Sequence, residues 1–227
     1  MKTETQKIID RYEKRKGDKN VEKNSTKYTH YMRHMKIERE SRYATIVQDR
    51  FDSLNGIKVL EVGAGTGDNI GIFKELGINH QHIFANELLS DRLAVLRQRH
   101  PDINVIDGDA LKITEEEGGT FDIVLQATVF TSILDSEFKT KLANKMWSLL
   151  KPGGVIIWYD FAFDNPRNKD VKGVKQKEVK QLFDKSKNIV FHRTTLAPPI
   201  GRRVSKLYPM FNFFPFLRSH IIAEIYK

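Results

Sequence analysis

The sequence predicts an α/β fold, a mostly parallel sheet with helices on both faces, and three observations carry that prediction. From Ile57 to the C-terminus, short apolar strand-like runs alternate with segments of helical period. Many of the runs are near-continuously apolar, as strands buried on both faces must be. The first run, Val59–Val62, passes directly into a glycine turn, Gly63-Ala64-Gly65-Thr66-Gly67, and carries an acidic residue, Glu61, where a buried strand should have none.

The elements follow in order. Residues 1–54 read as a helical leader or lid, and residues 55–227 as the α/β domain. A short helix is expected around Ile8, Ile9 and Tyr12, then a flexible break over Lys14–Asn20. From about Arg33 to Leu54 the apolar residues Tyr43, Ile46, Val47, Phe51 and Leu54 recur at helical spacing, and Asn55-Gly56 is expected to end that helix. Strands are predicted at Ile57–Val62, His82–Ala85, Ile103–Ile106, Phe121–Leu125, Val155–Tyr159, Ile189–Thr195 and His220–Ile225. Helices are predicted at Asn69–Leu76, Leu89–Arg99, Ser136–Leu150 and Lys175–Lys185. Gly77, His100-Pro101 and Lys151-Pro152-Gly153-Gly154 stop the first three, and Glu115–Gly119 reads as a solvated turn.

Bulk composition narrows the function. The 227 residues are 40% apolar, enough for a core, and contain no cysteine. Disulfides, thiolate zinc sites and cysteine nucleophiles are therefore excluded, and a cytoplasmic location is the simplest reading. No segment approaches the ~18 apolar residues of a membrane span. The formal charge of +9 favours anionic partners, although a solvated basic surface gives the same number.

Successive right-handed crossovers place the carboxyl ends of the strands along one edge, where ligands of open α/β sheets bind. The glycine turn, Glu87, Asp109 and Asp160 all follow strands and should gather there. Glycines suit the turn because positive φ is needed and a ligand can approach bare backbone. Glu87 can accept hydrogen bonds from the hydroxyls of a ribose, or cap the next helix. Asp109, in Gly108-Asp109-Ala110, can accept from a purine amino group, or simply form a turn. Together the carboxylates describe a nucleoside site. A dinucleotide fingerprint would want its third glycine at position 68, which is Asp68, a poor neighbour for a pyrophosphate.

These motifs, with Phe121–Leu125 and Leu150-Lys151-Pro152-Gly153-Gly154, resemble the ordered motif set of class I S-adenosylmethionine-dependent methyltransferases over roughly residues 55–161. The resemblance implies a Rossmann-like seven-stranded sheet whose antiparallel C-terminal strand is inserted beside the fifth. It implies S-adenosylmethionine as cofactor. Glu61 and the backbone of Gly63, Ala64, Gly65, Thr66 and Gly67 would hold its amino-acid end. Glu87 would hold the ribose, Leu88 would lie against the adenine, and Asp109 with the Ala110 amide would read the adenine amino group. Gln126 and Thr128 would face the methionine portion.

The acceptor is less legible. Gln126-Ala127-Thr128-Val129-Phe130 lacks the Asp/Asn-Pro-Pro-aromatic motif of methyltransferases that act on base amines, which favours an oxygen acceptor. In-line placement supplies much of such a reaction, and a base helps a hydroxyl acceptor. Asp160 is the candidate base, with capping of the loop 164–167 as the bland alternative. His30, His34, His192 and His220 are weaker candidates, and no cluster has metal-ligand spacing. The leader helix with Arg33, Arg39, Arg42 and Tyr43 is expected either to fold over the cofactor or to pack plainly.

Tyr208–Leu217, aromatic and flanked by Arg202, Arg203, Lys206 and Arg218, suits a membrane interface, an apolar acceptor pocket or buried core. With Tyr159-Asp160-Phe161 and Asn165-Pro166-Arg167, it also resembles a bacterial subgroup tied to surface-polysaccharide or lipid-linked sugar pathways. A small-molecule, glycan or lipid-linked acceptor is therefore expected. An RNA methyltransferase, a non-catalytic nucleoside-binding protein and a nicotinamide-dependent oxidoreductase remain as rivals.

Overall fold

In the computed structural model, residues 2–16, 26–114, 120–164 and 168–227 are described. Seven strands form one sheet: β1 (Val59–Val62), β2 (Ile83–Glu87), β3 (Asn104–Asp107), β4 (Phe121–Ala127), β5 (Leu150–Phe161), β6 (Asn188–Leu196) and β7 (Arg218–Tyr226). Their order is β3-β2-β1-β4-β5-β7-β6. β1 through β5 run parallel, and β7 lies antiparallel between β5 and β6. The expected sheet and its inserted C-terminal strand are thus observed. Strand order reverses between β1 and β4, so their carboxyl ends part and leave a crevice.

Eight helices are described: α1 (Glu4–Lys16), α2 (Thr26–Arg50), α3 (Ile70–Glu75), α4 (Ser90–Arg99), α5 (Ser136–Leu149), α6 (Gln176–Leu182), α7 (Pro198–Val204) and α8 (Tyr208–Asn212). Alternation along β5 shows how they cover the sheet. Val155, Ile157 and Tyr159 join a core with Tyr43, Ile46 and Val47 of α2 and Phe73 of α3. Ile156 and Trp158 point the other way, into a core with Leu142 and Met146 of α5 and Val179 of α6.

Several boundaries differ from the sequence expectation, each for a local reason. Lys14–Lys16 continue α1 rather than breaking it, and Gly17–Asn20 lie outside the described residues, as do Glu115–Gly119 and Asn165–Arg167. α2 begins at Thr26 and stops at Arg50, short of Leu54. Beyond it the Ser53 hydroxyl accepts from the Asn55 amide, a local bond that competes with helix continuation, and Gly56 turns at φ +80°. Lys151–Gly154 belong to the start of β5, not to a loop. There the register with β4 shifts, from Phe121 opposite Leu150 to Ile123 opposite Val155. Pro152 brings no donor, Gly153 takes φ +81°, and a Cβ on Gly154 would lie 2.8 Å from the Asp122 carbonyl oxygen.

α2 ties the two ends of the chain together. The Glu38 carboxylate accepts from the Thr195 amide at 3.2 Å, the Tyr208 hydroxyl at 2.8 Å and the Asn212 side-chain amide at 2.9 Å. His34 stacks on Tyr208 with ring centroids 5.3 Å apart, and Gly201 gives the Tyr31 ring room that a Cβ would fill. Hydrogen bonds to an ionised acceptor are each worth about 1.5–3 kcal/mol. Glu38→Ala should therefore cost about 2–4 kcal/mol by urea denaturation. It should also open the segment 198–217 to limited proteolysis, and an unchanged cleavage pattern would show that the segment is held by other contacts.

Candidate active site

The site begins with a carboxylate that the fold buries. Apolar neighbours hide β1 on both faces, and Glu61 is 1% exposed. Burial pushes its carboxyl up to about 8, against the Asn69 bond and the Arg39 charge that favour ionisation. Oε1 accepts from Asn69 Nδ2 at 2.6 Å, whereas Oε2 has no partner among the described residues. Asn69 Oδ1 is likewise unpaired, and so is Nε of Arg39, which reaches in from α2 with its guanidinium 5.2 Å from the Tyr159 ring centre. Buried polar atoms are rarely left without partners, so three on one wall need explaining. Two free acceptors beside one free donor are what a bound α-amino acid would satisfy, its ammonium on Glu61 and Asn69 and its carboxylate on Arg39.

The turn beyond β1 takes positive φ at Gly63, Gly65 and Gly67, but its glycines have different duties. A Cβ on Gly65 would meet nothing within 4 Å, so this backbone is open to the cavity. A Cβ on Gly67 would lie 2.5 Å from His100 Cδ2 and 2.7 Å from Leu96 Cδ1. Gly67 is therefore required by the close approach of α4. One on Gly63 would strike Val129 Cγ2 at 2.5 Å, which keeps the turns after β1 and β4 together.

Glu87, at the end of β2, is 4% exposed and binds this turn: Oε2 accepts from the Gly65 amide at 2.7 Å, and Oε1 from the Leu88 and Leu89 amides at 2.9 and 2.8 Å. Its carboxylate is thereby aimed, with acceptor capacity left for a ribose. Asn86 draws in the turn after β3, its amide donating to the carbonyls of Ile106 and Gly108 at 3.1 and 2.9 Å. Asp109 accepts from the Leu111 amide at 3.0 Å and from the Thr5 hydroxyl of α1 at 2.8 Å. α1 thus forms a wall of the site. Its Tyr12 bonds Ser132 at 3.0 Å beneath the Arg92 guanidinium, which stands 4.4 Å from the ring centre.

These groups enclose a cavity of about 390 Å³, within the range of small-molecule and cofactor sites. The structure brings Glu61, Gly63, Ala64, Gly65, Thr66, Glu87, Leu88, Asp109, Ala110 and Thr128 to its wall. Gly67, Gln126 and Asp160 do not line it. Gln126 is fully buried, accepts from the Val129 amide at 3.1 Å and donates to Asp160 Oδ2 at 3.3 Å. Asp160 is 0% exposed and also accepts from the Thr131 hydroxyl at 2.6 Å, and burial raises its carboxyl to about 7. Side chains alternate along a strand, and this one falls on the face opposite Tyr159, where Thr131 and Gln126 take it up instead of the cavity. The pair props up the turn at Thr128, whose φ is 60° and whose amide donates to the Tyr159 carbonyl at 2.8 Å.

Motif reading missed Asn69 and Asn86, although Asn69 carried a signal as the residue before an apolar helix. Arg39, and Thr5, Ile8 and Tyr12 of α1, belong to the leader that was expected to fold over the cofactor or to pack plainly, and they line the cavity. Asp68 lines the cavity and pairs with Arg99 at 2.6 Å.

Comparison with known proteins agrees with this geometry. Residues 59–154 match the family model described as a methyltransferase domain. A demethylmenaquinone methyltransferase of Paenarthrobacter aurescens is 29% identical over 121 residues, 53% of this chain and 45% of that one. A demethylmenaquinone methyltransferase of Renibacterium salmoninarum is 28% identical over 121 residues, 53% and 48% of the two chains. The chain spans about half the length of the curated relatives it matches. Among solved structures, the magnesium protoporphyrin IX methyltransferase of Synechocystis PCC 6803 with bound cofactor superposes with a TM-score of 0.63 at 16% identity, covering 100% of this chain and 99% of that one. A SAM-dependent methyltransferase from Archaeoglobus fulgidus gives 0.58 at 16% identity, over 83% and 94%. At that identity the likeness is one of fold.

The roles of Gly65 and Gly67 are separable. Gly67→Ala should cost about 2–3 kcal/mol in urea denaturation, because Leu96 and His100 must shift. Gly65→Ala, whose methyl group meets nothing within 4 Å and carries only the strain of φ +60°, should cost less stability and weaken calorimetric binding of S-adenosylhomocysteine, since the methyl group enters the cavity. Equal losses of stability in both would remove the distinction.

Proposed function

We propose that the chain, whose residues 59–154 match the methyltransferase-domain family model, is an S-adenosylmethionine-dependent methyltransferase that transfers the sulfonium methyl group to an oxygen of a small-molecule, sugar or lipid-linked acceptor. The observation that carries the cofactor assignment is the set of unpaired buried atoms, Glu61 Oε2, Asn69 Oδ1 and Arg39 Nε, on one wall of the cavity. They suit the α-amino acid end. Glu87 is placed for the ribose hydroxyls, and Asp109 with Ala110 for the adenine edge.

Bound there, S-adenosylmethionine supplies an electrophilic methyl carbon on a positively charged sulfur. The protein's own work is placement. Glu61, Asn69 and Arg39 would hold one end and Asp109 the other, with Thr128 and the Gly63–Gly65 backbone lining the wall between them. α1 and α2 exclude water on the open side, through Ile8, Tyr12 and Arg39. The chain's part would be to align an acceptor oxygen with that methyl carbon, opposite the sulfur, and to leave the acceptor's proton a path out of the site. Orientation of this kind is worth up to ~7–11 kcal/mol. Asp160, behind the Thr128–Thr131 turn, acts in this reading as a positioning residue.

An oxygen acceptor is favoured because the turn after β4 lacks the proline pair of base-amine methyltransferases. The curated relatives are named for demethylmenaquinone rather than for a nucleic acid, which favours a non-nucleic acceptor here. Exposed aromatic residues of 207–216 offer an apolar approach, including Phe213 at 79% and Phe216 at 74% exposure.

The direct test incubates the protein with methyl-labelled S-adenosylmethionine and fractionated cell extract. Label is expected in a small-molecule, polysaccharide or lipid fraction, and label confined to RNA would transfer the assignment to an RNA methyltransferase. In the same assay Asp160→Asn should retain turnover within about tenfold with an unchanged pH profile of kcat. A loss of 10²-fold or more with a missing acidic limb would restore Asp160 as base.

Cofactor binding should also be proton-linked. In the free protein Glu61 sits near 8 and is mostly protonated at neutrality. An ammonium beside it favours the carboxylate. Binding of S-adenosylhomocysteine should therefore release protons at pH 7 and tighten from about pH 6 to 8. Calorimetry in buffers of different ionisation enthalpy measures this, and Glu61→Gln should remove both effects.

A further inference from the structure

A second cavity of about 300 Å³ opens on the same sheet edge, on the β5-β7-β6 side. It lies between the end of β5 at Ala162 and Phe163, the start of β7 at Arg218–Ile221, Arg193 of β6, and Lys175 and Lys177 at the start of α6. β7 is antiparallel to β5, with Phe161 opposite His220, which brings Arg218 to the edge that carries the glycine turn.

The wall holds Lys175, Lys177, Arg193 and Arg218 and no carboxylate. None of these forms an ion pair among the described residues, whereas Lys139, Lys151, Lys74, Arg97 and Arg99 each face an acid. Arg218 is fixed in place without being neutralised. Its Nε donates to the Asn212 carbonyl at 2.9 Å and its Nη1 to the Arg193 carbonyl at 2.8 Å. Like charges held around a concavity repel one another, and a bound anion converts that cost into attraction. The chain between Asn212 and Arg218 also carries the exposed Phe213, Phe214 and Phe216, and Phe163 on the cleft wall is 57% exposed. A cationic cleft thus adjoins an apolar surface.

We propose that this cleft binds the phosphate or diphosphate group of an amphiphilic ligand whose apolar part rests on Phe213, Phe214 and Phe216. The proposal deepens the acceptor reading above and rests on it only for the ligand's fate. Arg193 and Arg218 are suited to phosphate oxygens through their planar donors, and Lys175 and Lys177 add point charge. Anchored there, the remainder of the ligand can extend along the sheet edge past β5 toward Thr128.

The experiment uses the whole chain. Inorganic pyrophosphate binding is measured by calorimetry, vesicle binding by sedimentation with phosphatidylcholine alone or mixed with phosphatidic acid, and S-adenosylhomocysteine binding in parallel. Lys175→Ala/Lys177→Ala/Arg193→Ala should weaken pyrophosphate binding by at least about tenfold. A control losing the same charge at the exposed Arg33, Lys112 and Lys185 should not. Phe213→Ser/Phe216→Ser should lose mixed-vesicle binding and keep pyrophosphate binding. Equal weakening by cleft and control variants would overturn the site in favour of bulk charge, and mixed-vesicle binding unchanged in the phenylalanine variant would overturn the amphiphile. Intact S-adenosylhomocysteine binding throughout, with loss of label transfer only in the cleft variant, ties the cleft to the acceptor. Pyrophosphate binding in a protein that methylates nothing would leave the cleft standing and sink the methyl-transfer reading.

Discussion

The structure depends on one carboxylate being held where a carboxylate should not be. Glu61 ends up between two apolar cores because β1 is an interior strand of the sheet, flanked by β2 and β4. Its carboxyl is displaced from 4.5 to about 8, so the folded state prefers it neutral. The sign follows. This contribution to stability is complete below about pH 4.5 and fades as pH rises through about 8. Near neutrality the free protein therefore holds a group that is close to ionising and half-provided with partners. A cationic ligand completes it. Stability given up at Glu61 is recovered as differential affinity for a positively charged molecule.

The helix α2 links that carboxylate to the far end of the chain. Glu38 and Arg39 are consecutive but serve different neighbours. Glu38 binds Thr195, Tyr208 and Asn212, while Arg39 lies over Tyr159 on the cavity wall. Tyr159 in turn bonds Thr195 at 3.0 Å and stacks on His220 with ring centroids 5.1 Å apart. Burial and the nearby Arg39 charge hold His220 down at about 4, so its ring is neutral and can pack against Tyr159 without a charge to solvate. A displacement of the 198–217 segment would be felt at Arg39 through a few rigid contacts.

Most of the fold was legible because buried strands and glycine turns leave dense signals. Glu61, Gly63–Thr66, Glu87 and Asp109, expected at or just beyond strand ends, line one cavity because successive parallel strands end along one edge. Two kinds of feature were not legible. Direction was one: Asp160 sits at the expected strand end, yet alternation turns its side chain to Thr131 and Gln126. Distance was the other. Thr5 meets Asp109 across 104 positions, and no local pattern foretells that contact. Gly67 shows the same limit in a milder form. Its glycine was expected for a positive φ, which it takes, and for the ligand; the approach of Leu96 and His100, which also demands it, was not foreseen.

The sheet edge is electrically divided. Glu61, Glu87 and Asp109 cluster at the carboxyl ends of β1, β2 and β3, while Arg193, Arg218, Lys175 and Lys177 gather beyond β5. Electrostatics alone favour a cationic group in the first half and an anionic group in the second. Such sorting costs nothing at the moment of reaction, because the charges are fixed by the fold. It also bears on turnover. Methyl transfer turns the sulfonium into a neutral thioether, so the acidic half loses part of its hold on the spent nucleoside while the ammonium on Glu61 remains. Product release would then be helped by the same electrostatics that favour the sulfonium, while the groups suited to the amino-acid, ribose and adenine parts keep their hold.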